Sequence, residues 1–165
     1  ESMLFKNSKK KKLETYLIGN RDKLYKIAFI YLKNREDALD IIQDSIVKSY
    51  LCIDKLKNIE ALEKWFIRLL INTCIDFIRK NSKLTYLENE DIELVLNKEI
   101  KEEVAFEEII ESLDLDLKGV ISLKYFYGYK VNEISEILEI SESHVKNKLQ
   151  KALNLLRKEI KKEVV

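Results

Sequence analysis

The chain has no proline and only three glycines, Gly19, Gly119 and Gly128, among its 165 residues. Tight turns between strands draw on both residue types for their backbone angles, so this scarcity argues against a β-rich fold and for an all-α one. Cysteine is nearly absent too. Cys52 and Cys74 are too few and too far apart for a disulfide framework or a zinc site, and they read as buried free thiols of a reducing compartment. No metal and no cofactor is expected. No apolar run is long enough to cross a membrane, and the basic stretch Lys9–Lys12 leads into no signal-peptide core. The expectation is a cytoplasmic protein with no membrane contact of its own, a monomer when free.

Excess charge of one sign is also missing, since 30 Lys and Arg face 29 Asp and Glu. The distribution is less even. Residues 1–80 carry 17 basic against 11 acidic side chains, residues 81–112 carry 3 against 10, and residues 113–165 carry 10 against 8. Two net-basic segments flanking an acidic one suit contact with nucleic acid, although helices with scattered solvated charges would give the same count.

What the chain does have is apolar residues at helical spacing. Asn20 is placed to cap a helix over 21–33, with Leu24, Ile27, Ala28 and Tyr31 inward. Asn34 is placed to cap "REDALDIIQDSIVKSYL", with Leu39, Ile42, Ile46 and Tyr50 on its inner side. After a short connection at 54–57, Asn58 precedes a long helix ending near Asn81. Its main stripe runs Leu62, Trp65, Phe66, Leu69, Leu70, Thr73, Phe77, and a second strip, Ile67, Ile71, Ile75, Ile78, lies roughly opposite. From 82 to 104 the pattern weakens and acidic residues collect, which predicts a flexible linker, because little burial would offset its ordering entropy. The domains are therefore expected at 1–81 and 105–165. In the second, helices are expected over 105–113, 117–127 (ended by Gly128) and 130–138, followed by the turn Glu139–Ile140–Ser141 and a helix from 142.

Three groups of residues carry chemistry. In "SESHVKNKLQKAL", Ser141 caps a helix whose Val145, Leu149, Ala152 and Leu153 face inward. Ser143, His144, Lys146, Asn147, Lys148 and Lys151 occupy the remaining surface. With the preceding helix this matches a helix-turn-helix, in which lysines neutralise phosphates and Asn, Gln or hydroxyls pair with base edges. A helical hairpin with a solvated face has the same pattern, and Glu139 stands where such turns usually have glycine. On the long helix, Lys64, Arg68, Asn72, Asp76 and Lys80 recur every four residues, with Arg79 alongside and Trp65 close to Asn72. A plain solvated row on a central bundle helix is the simpler account, yet Asn72 in mid-helix has poor propensity and asks for another reason. In "DALDIIQD", Asp37, Asp40 and Asp44 share a face with Gln43 at its edge and Ile41 beside it. Carboxylates of this kind do acid–base work only with a convergent partner, and the one histidine lies far along the chain, so protein docking or plain solvation outweighs catalysis.

Taken in order, these motifs resemble an extracytoplasmic-function sigma factor, a minimal member of the sigma-70 family of bacterial transcription initiation factors. The resemblance runs from about Leu13 to Glu159. "NREDALDIIQDSIVKSY" is similar to the family's polymerase-binding helix. "WFIRLLINTCIDFIRK" follows its Trp, Arg, Asn, Asp, Arg pattern at Trp65, Arg68, Asn72, Asp76 and Arg79, and "YKVNEISEILEISESHVKNKLQKALNLLRK" is similar to its C-terminal helix-turn-helix. The resemblance implies a non-enzymatic factor with a sigma-2-like and a sigma-4-like domain. It implies that Asp37, Asp40, Ile41, Gln43 and Asp44 bind core RNA polymerase. The −10 promoter element would be read and opened by Lys64, Trp65, Arg68, Asn72, Asp76, Arg79 and Lys80, and the −35 element read by the 142–154 helix. It further implies an anti-sigma factor, in some systems membrane-anchored, that covers both domains. The chain departs from the family at "LDLDLKG", where Leu-Pro-Pro and an arginine are common, and in its lysine-rich recognition helix, which offers fewer bidentate guanine contacts. A stand-alone helix-turn-helix regulator binding duplex operators is the alternative.

Overall fold

The structure is a computed structural model that describes residues 3–81, 111 and 113–164, with side chains as far as Lys158. Every regular element among the described residues is helical. The predicted linker at 82–104 and nearly all of the predicted 105–113 helix lie outside the described residues.

Helix α1 (Met3–Gly19) precedes the first helix expected from the sequence. Its signal is the spacing of Leu13, Tyr16 and Leu17, of which Leu13 and Leu17 are buried. The Lys9 ammonium donates to the Leu56 carbonyl at 2.7 Å, tying α1 to a distant turn. Helix α2 (Arg21–Leu32) starts after Asn20, which does not cap it through its side chain. The Asn20 amide instead donates back to the Tyr16 carbonyl of α1. Lys33, in the left-handed region at φ 57, ends the helix.

Helix α3 (Arg35–Cys52) is capped as its sequence suggests, Asn34 accepting from the Asp37 N–H at 3.0 Å. Its buried face differs from the one expected. Ala38, Ile41, Ser45 and Ser49 face the core, while Ile42, Ile46 and Tyr50 are half-buried and Leu39 is exposed. Small side chains let the neighbouring helices approach closely, and the two serine hydroxyls donate to carbonyls of their own helix, so their burial leaves no donor unsatisfied. Ile41, expected to contact polymerase, is only 4 % exposed and is a core residue.

Two 3-10 turns (Ile53–Lys55 and Ile59–Ala61) lead to α4 (Leu62–Asn81), with Asn58 accepting from the Glu60 N–H. Both apolar strips of α4 are used: Phe66, Ile67, Leu70, Ile71 and Cys74 are each at most 2 % exposed. It is the central helix, packed against α2 and α3 and against the C-terminal helix over Val131–Leu138.

The C-terminal module begins with α5 (Leu115–Tyr125), two residues earlier than expected. The Asp114 carboxylate accepts from the Leu117 N–H at 3.0 Å and so takes the N-cap role in "LDLDLKG". Gly128, at φ 67, turns the chain beyond the end of α5. Helix α6 (Val131–Leu138) buries Ile134 and Ile137, and α7 (Glu142–Val164) buries Val145, Ala152 and Leu156. The turn between them forms without glycine. Glu139 adopts φ 56, and the Ser135 hydroxyl donates to the Ile140 carbonyl at 2.5 Å, bracing the corner.

A candidate polymerase and promoter interface

The acidic face of α3 leaves Asp40, Gln43 and Asp44 exposed, and Asp37 half-buried. Burial raises the Asp37 carboxyl above its ordinary range, and the nearby charges of Asp40 and Glu36 raise it further. Beside this face runs an open groove of about 780 Å³ between α1, α2 and α3, lined among others by Ile18, Tyr25, Leu39, Ile42, Gln43 and Ile46. Leu39, expected to be internal, is 44 % exposed, and Ile18 is 56 % exposed, so the groove carries apolar surface open to solvent. Sequence periodicity missed this groove because α3 carries two apolar stripes, and the one with buried serines looks the less hydrophobic.

On α4, Asn72, Asp76, Arg79 and Lys80 are exposed and Trp65 is half-buried. Lys64 and Arg68 are half-buried for a specific reason. Lys64 lies 2.9 Å from a Glu136 carboxylate oxygen and 4.0 Å from one of Glu133. The Arg68 guanidinium donates to the carbonyls of Glu136 and Ile137, the latter at 3.0 Å, and its other nitrogen lies 3.0 Å from the Glu139 carboxylate. A small cleft beside these contacts includes both Asn72 of α4 and Lys148 of α7 in its lining.

On α7, the Ser141 hydroxyl accepts from the His144 N–H at 3.2 Å and starts the helix. Ser143, His144, Lys146, Asn147 and Lys151 are exposed. Lys148, expected to be exposed, is half-buried, with its ammonium 3.1 Å from the Asp116 carboxylate of α5. The neutral and cationic hydrogen-bonding groups of this helix therefore share one outward face, as a groove-reading helix requires.

Burial also shapes the ionisable interior. Desolvation pushes the Cys74 thiol up to about 12, and Cys52 and Cys74 are both free thiols. Lys118 is 3 % exposed, and burial, followed by the neighbouring Lys33 charge, brings its ammonium down to about 8. The hydroxyls of Tyr16, Tyr127 and Tyr129 are buried without a well-formed hydrogen bond.

An acidic face beside an apolar groove, a polar and aromatic helix row, and a helix-turn-helix on one all-helical chain are the features of the class of helix-turn-helix proteins. Comparison with known proteins narrows this. The model of Sigma-70 region 2 matches residues 17–84, and that of Sigma-70, region 4, matches residues 103–156. The RNA polymerase sigma factor SigV of Bacillus subtilis (strain 168) is 34 % identical over 160 residues, covering 96 % of each chain. The ECF RNA polymerase sigma factor SigW of the same organism is 28 % identical, over 86 % of this chain and 84 % of its own. Two solved structures share the fold. The sigma factor RpoE, in complex with the anti-sigma factor NepR from Bartonella quintana, aligns with TM-score 0.73 at 19 % identity, over 90 % of this chain and 96 % of its own. CnrH, in complex with the cytosolic domain of CnrY, aligns with TM-score 0.69 at 18 % identity, over 90 % and 87 %. The chain belongs to the sigma-70 family, in its extracytoplasmic-function group, and is a promoter-directing transcription initiation factor. Among the described residues no helix is long and apolar enough to cross a membrane.

Proposed function

We propose that α3 is the surface by which this factor docks on core RNA polymerase. Asp40, Gln43 and Asp44, with Asp37 at the edge, are the polar contacts, and the adjoining apolar groove is the desolvated centre. The exposure of Leu39 next to Gln43 carries this reading, because an apolar groove edged by polar groups is the anatomy of a protein interface. Trp65, Asn72, Asp76, Arg79 and Lys80, with Lys64 and Arg68, contact and open the −10 element. Ser141, Ser143, His144, Lys146, Asn147 and Lys151 meet the −35 element in a major groove, with Lys148 at the margin. The two reading modules divide within 82–104, supported by the family matches, of which one ends at 84 and the other begins at 103. An anti-sigma factor is the regulator in this reading, in keeping with the anti-sigma partner of the RpoE structure, and a membrane anchor on that regulator would link it to the cell envelope.

Reconstitution with core polymerase tests the assignment. Gln43→Ala with Asp44→Lys should abolish core binding and transcription without loss of helicity, since both side chains are exposed. Lys146→Ala with Lys151→Ala should keep core binding. It should lower −35-dependent transcription, and reduce the salt slope of promoter binding by about one unit for each phosphate no longer neutralised. Normal core binding by the α3 variant would overturn the docking assignment, and duplex binding at full strength without polymerase would favour an operator-binding regulator.

A further inference from the structure

The leading part of α1, "MLFKNSKKKK", stands apart from the bundle that the rest of the helix joins. Met3 through Ser8 are all exposed, and six successive positions cover more than one helical turn, so no face of this stretch is packed. The helix end therefore projects about 9 Å beyond the first half-buried position, Lys9. Its tip is apolar: Met3, Leu4 and Phe5 are 81 %, 80 % and 69 % exposed. Behind the tip come five lysines and no acid. Those five are part of the chain's 30 basic residues, and the other 25 face 29 acidic ones, so this end is cationic on a chain otherwise net acidic. Among the described residues, Lys6, Lys10, Lys11 and Lys12 enter no ion pair. The Lys9 hydrogen bond to the Leu56 carbonyl brings exposed Lys55 and Lys57 alongside, with Asp54 the one acid of that turn.

The arrangement is a cap and a collar, not a stripe. Successive residues are about 100° apart, so Met3, Leu4 and Phe5 surround the helix end and Lys9 to Lys12 surround its shaft. From Leu4 to Lys10 the rise is about 9 Å. An interfacial helix enters the boundary between lipid headgroups and acyl chains to a similar depth, about 5–10 Å. We infer that the leading end of α1 is a peripheral membrane contact. Met3, Leu4 and Phe5 enter an anionic phospholipid surface end-on, and the lysines behind them meet its phosphates. The unpaired N–H groups of the first turn hold the insertion at the level of ester and phosphate oxygens, which accept from them. This replaces the expectation of no membrane contact, because the lack of a spanning helix among the described residues excludes only crossing by those residues. Stable surface binding takes two signals, and an apolar insert with a polybasic patch supplies both. A nucleic acid would satisfy the lysines but leave three large apolar side chains in water, so the lipid surface is the better fit. The contact is separate from the α3 groove, since Phe5 lies about 20 Å along α1 from Ile18 at the groove.

Flotation of the full chain with vesicles tests the contact. One set of vesicles is phosphatidylcholine alone, and in the other roughly one lipid in three is phosphatidylglycerol, which makes the surface anionic. Wild type should float with the second set and not with the first. Lys10→Gln with Lys11→Gln and Lys12→Gln should weaken binding on the order of a hundredfold, at about fivefold for each lysine. Lys48→Gln with Lys124→Gln and Lys158→Gln, exposed on α3, α5 and α7, removes the same charge elsewhere and should change binding little. Leu4→Ser with Phe5→Ser keeps every lysine and should weaken binding by about tenfold or more, because the apolar cap is gone. Every position changed is exposed, so helicity should hold in each variant. Phe5→Trp places an indole at the tip, and lipids brominated near the top of their acyl chains should quench it beyond the level of wild type, whose one tryptophan is Trp65. Equal flotation with both vesicle sets, or with neither, would overturn the proposal. An equal loss in the charge control would do the same, since the collar would then have no special part. Full binding after Leu4→Ser with Phe5→Ser, and no added quenching, would overturn the insertion. If vesicles bind nothing and the α1 lysine variant instead weakens promoter complexes of the holoenzyme, the collar is a nucleic-acid contact and the membrane reading fails.

Discussion

Lys118 shows how far a single residue can depart from its sequence-level reading. In the order of the chain it is one more surface lysine, yet it is 3 % exposed in α5 with Lys33 of α2 nearby. Burial and that second cation bring it down to about 8, while Glu111 and Asp114 offset them only in part. The unfolded chain holds this proton up to an ordinary value of 10.5, so between about 8 and 10.5 the unfolded state binds more protons and stability rises with pH. Buried Tyr16, Tyr31 and Tyr129, whose hydroxyls are raised, act in the opposite sense above pH 10. Urea denaturation of wild type and Lys118→Met across this range isolates the lysine: the variant should gain most at pH 8 and below, with the difference shrinking toward pH 10.5. An equal difference at every pH would mean that Lys118 is not held at low pKa. Ile41 and Gln43, two positions apart, make a second contrast. Ile41→Ala should cost roughly 2–5 kcal/mol by leaving a cavity. Gln43→Ala, on the outer face, should stay within about 0.5 kcal/mol, so polymerase binding and stability separate cleanly along one helix.

At the scale of the element, the α6–α7 corner is the informative case. Helix-turn-helix corners favour glycine because one residue must enter the left-handed region, and here Glu139 does so at φ 56. A side chain there costs roughly 1 kcal/mol or more of backbone strain. The same side chain receives the Arg68 guanidinium at 3.0 Å, which gives the strained choice a reason. The two effects are separable by a double-mutant cycle. In an Arg68→Ala background, Glu139→Gly should stabilise the protein by about 1 kcal/mol in urea denaturation. In the wild-type background the gain should be smaller, because a partly exposed ion pair disappears along with the strain. Equal gains in both backgrounds would show that the Arg68 contact contributes nothing to stability.

At the scale of the whole molecule, the proposed reading gives one chain a docking face on α3, a strand-capturing row on α4 and a groove-reading face on α7. Unstacking bases costs a few kcal/mol per step by analogy with base flipping, which a factor of this size does not supply alone, so opening belongs to the holoenzyme. Asn72, exposed and lining the same cleft as Lys148, is the residue by which the proposed capture and docking roles can be told apart. Asn72→Ala should leave core binding intact and strongly reduce permanganate reactivity of thymines in the −10 region. Unchanged reactivity at saturating holoenzyme would remove Asn72 from the opening step. Tethering two weak readers raises their joint affinity through effective concentration, so each module alone should bind duplex DNA only feebly.

Local chemistry made much of this legible before any coordinates. The lack of proline and near-lack of glycine point to helices; Asn34, Asn58 and Ser141 mark the boundaries where they act, since capping depends on residues only a few positions apart, whereas α5 stops at Tyr125 with Phe126 as its cap, short of Gly128. The spacing of Trp65, Arg68, Asn72, Asp76 and Arg79 likewise survives as one helix row, because 3.6 residues per turn fixes it locally. The cap at Asp114 and the helix before Arg21 were available in the same way and were missed. Tertiary structure alone decided which of the two stripes on α3 is buried. That choice depends on how closely α2 and α4 approach, and small serines that look polar in the sequence fit the close contact while Leu39 does not. It alone decided that Lys64 and Arg68 meet the end of α6 and that Lys118 loses its water. Those outcomes depend on pairings across many tens of residues, and periodicity within one helix carries no information about them.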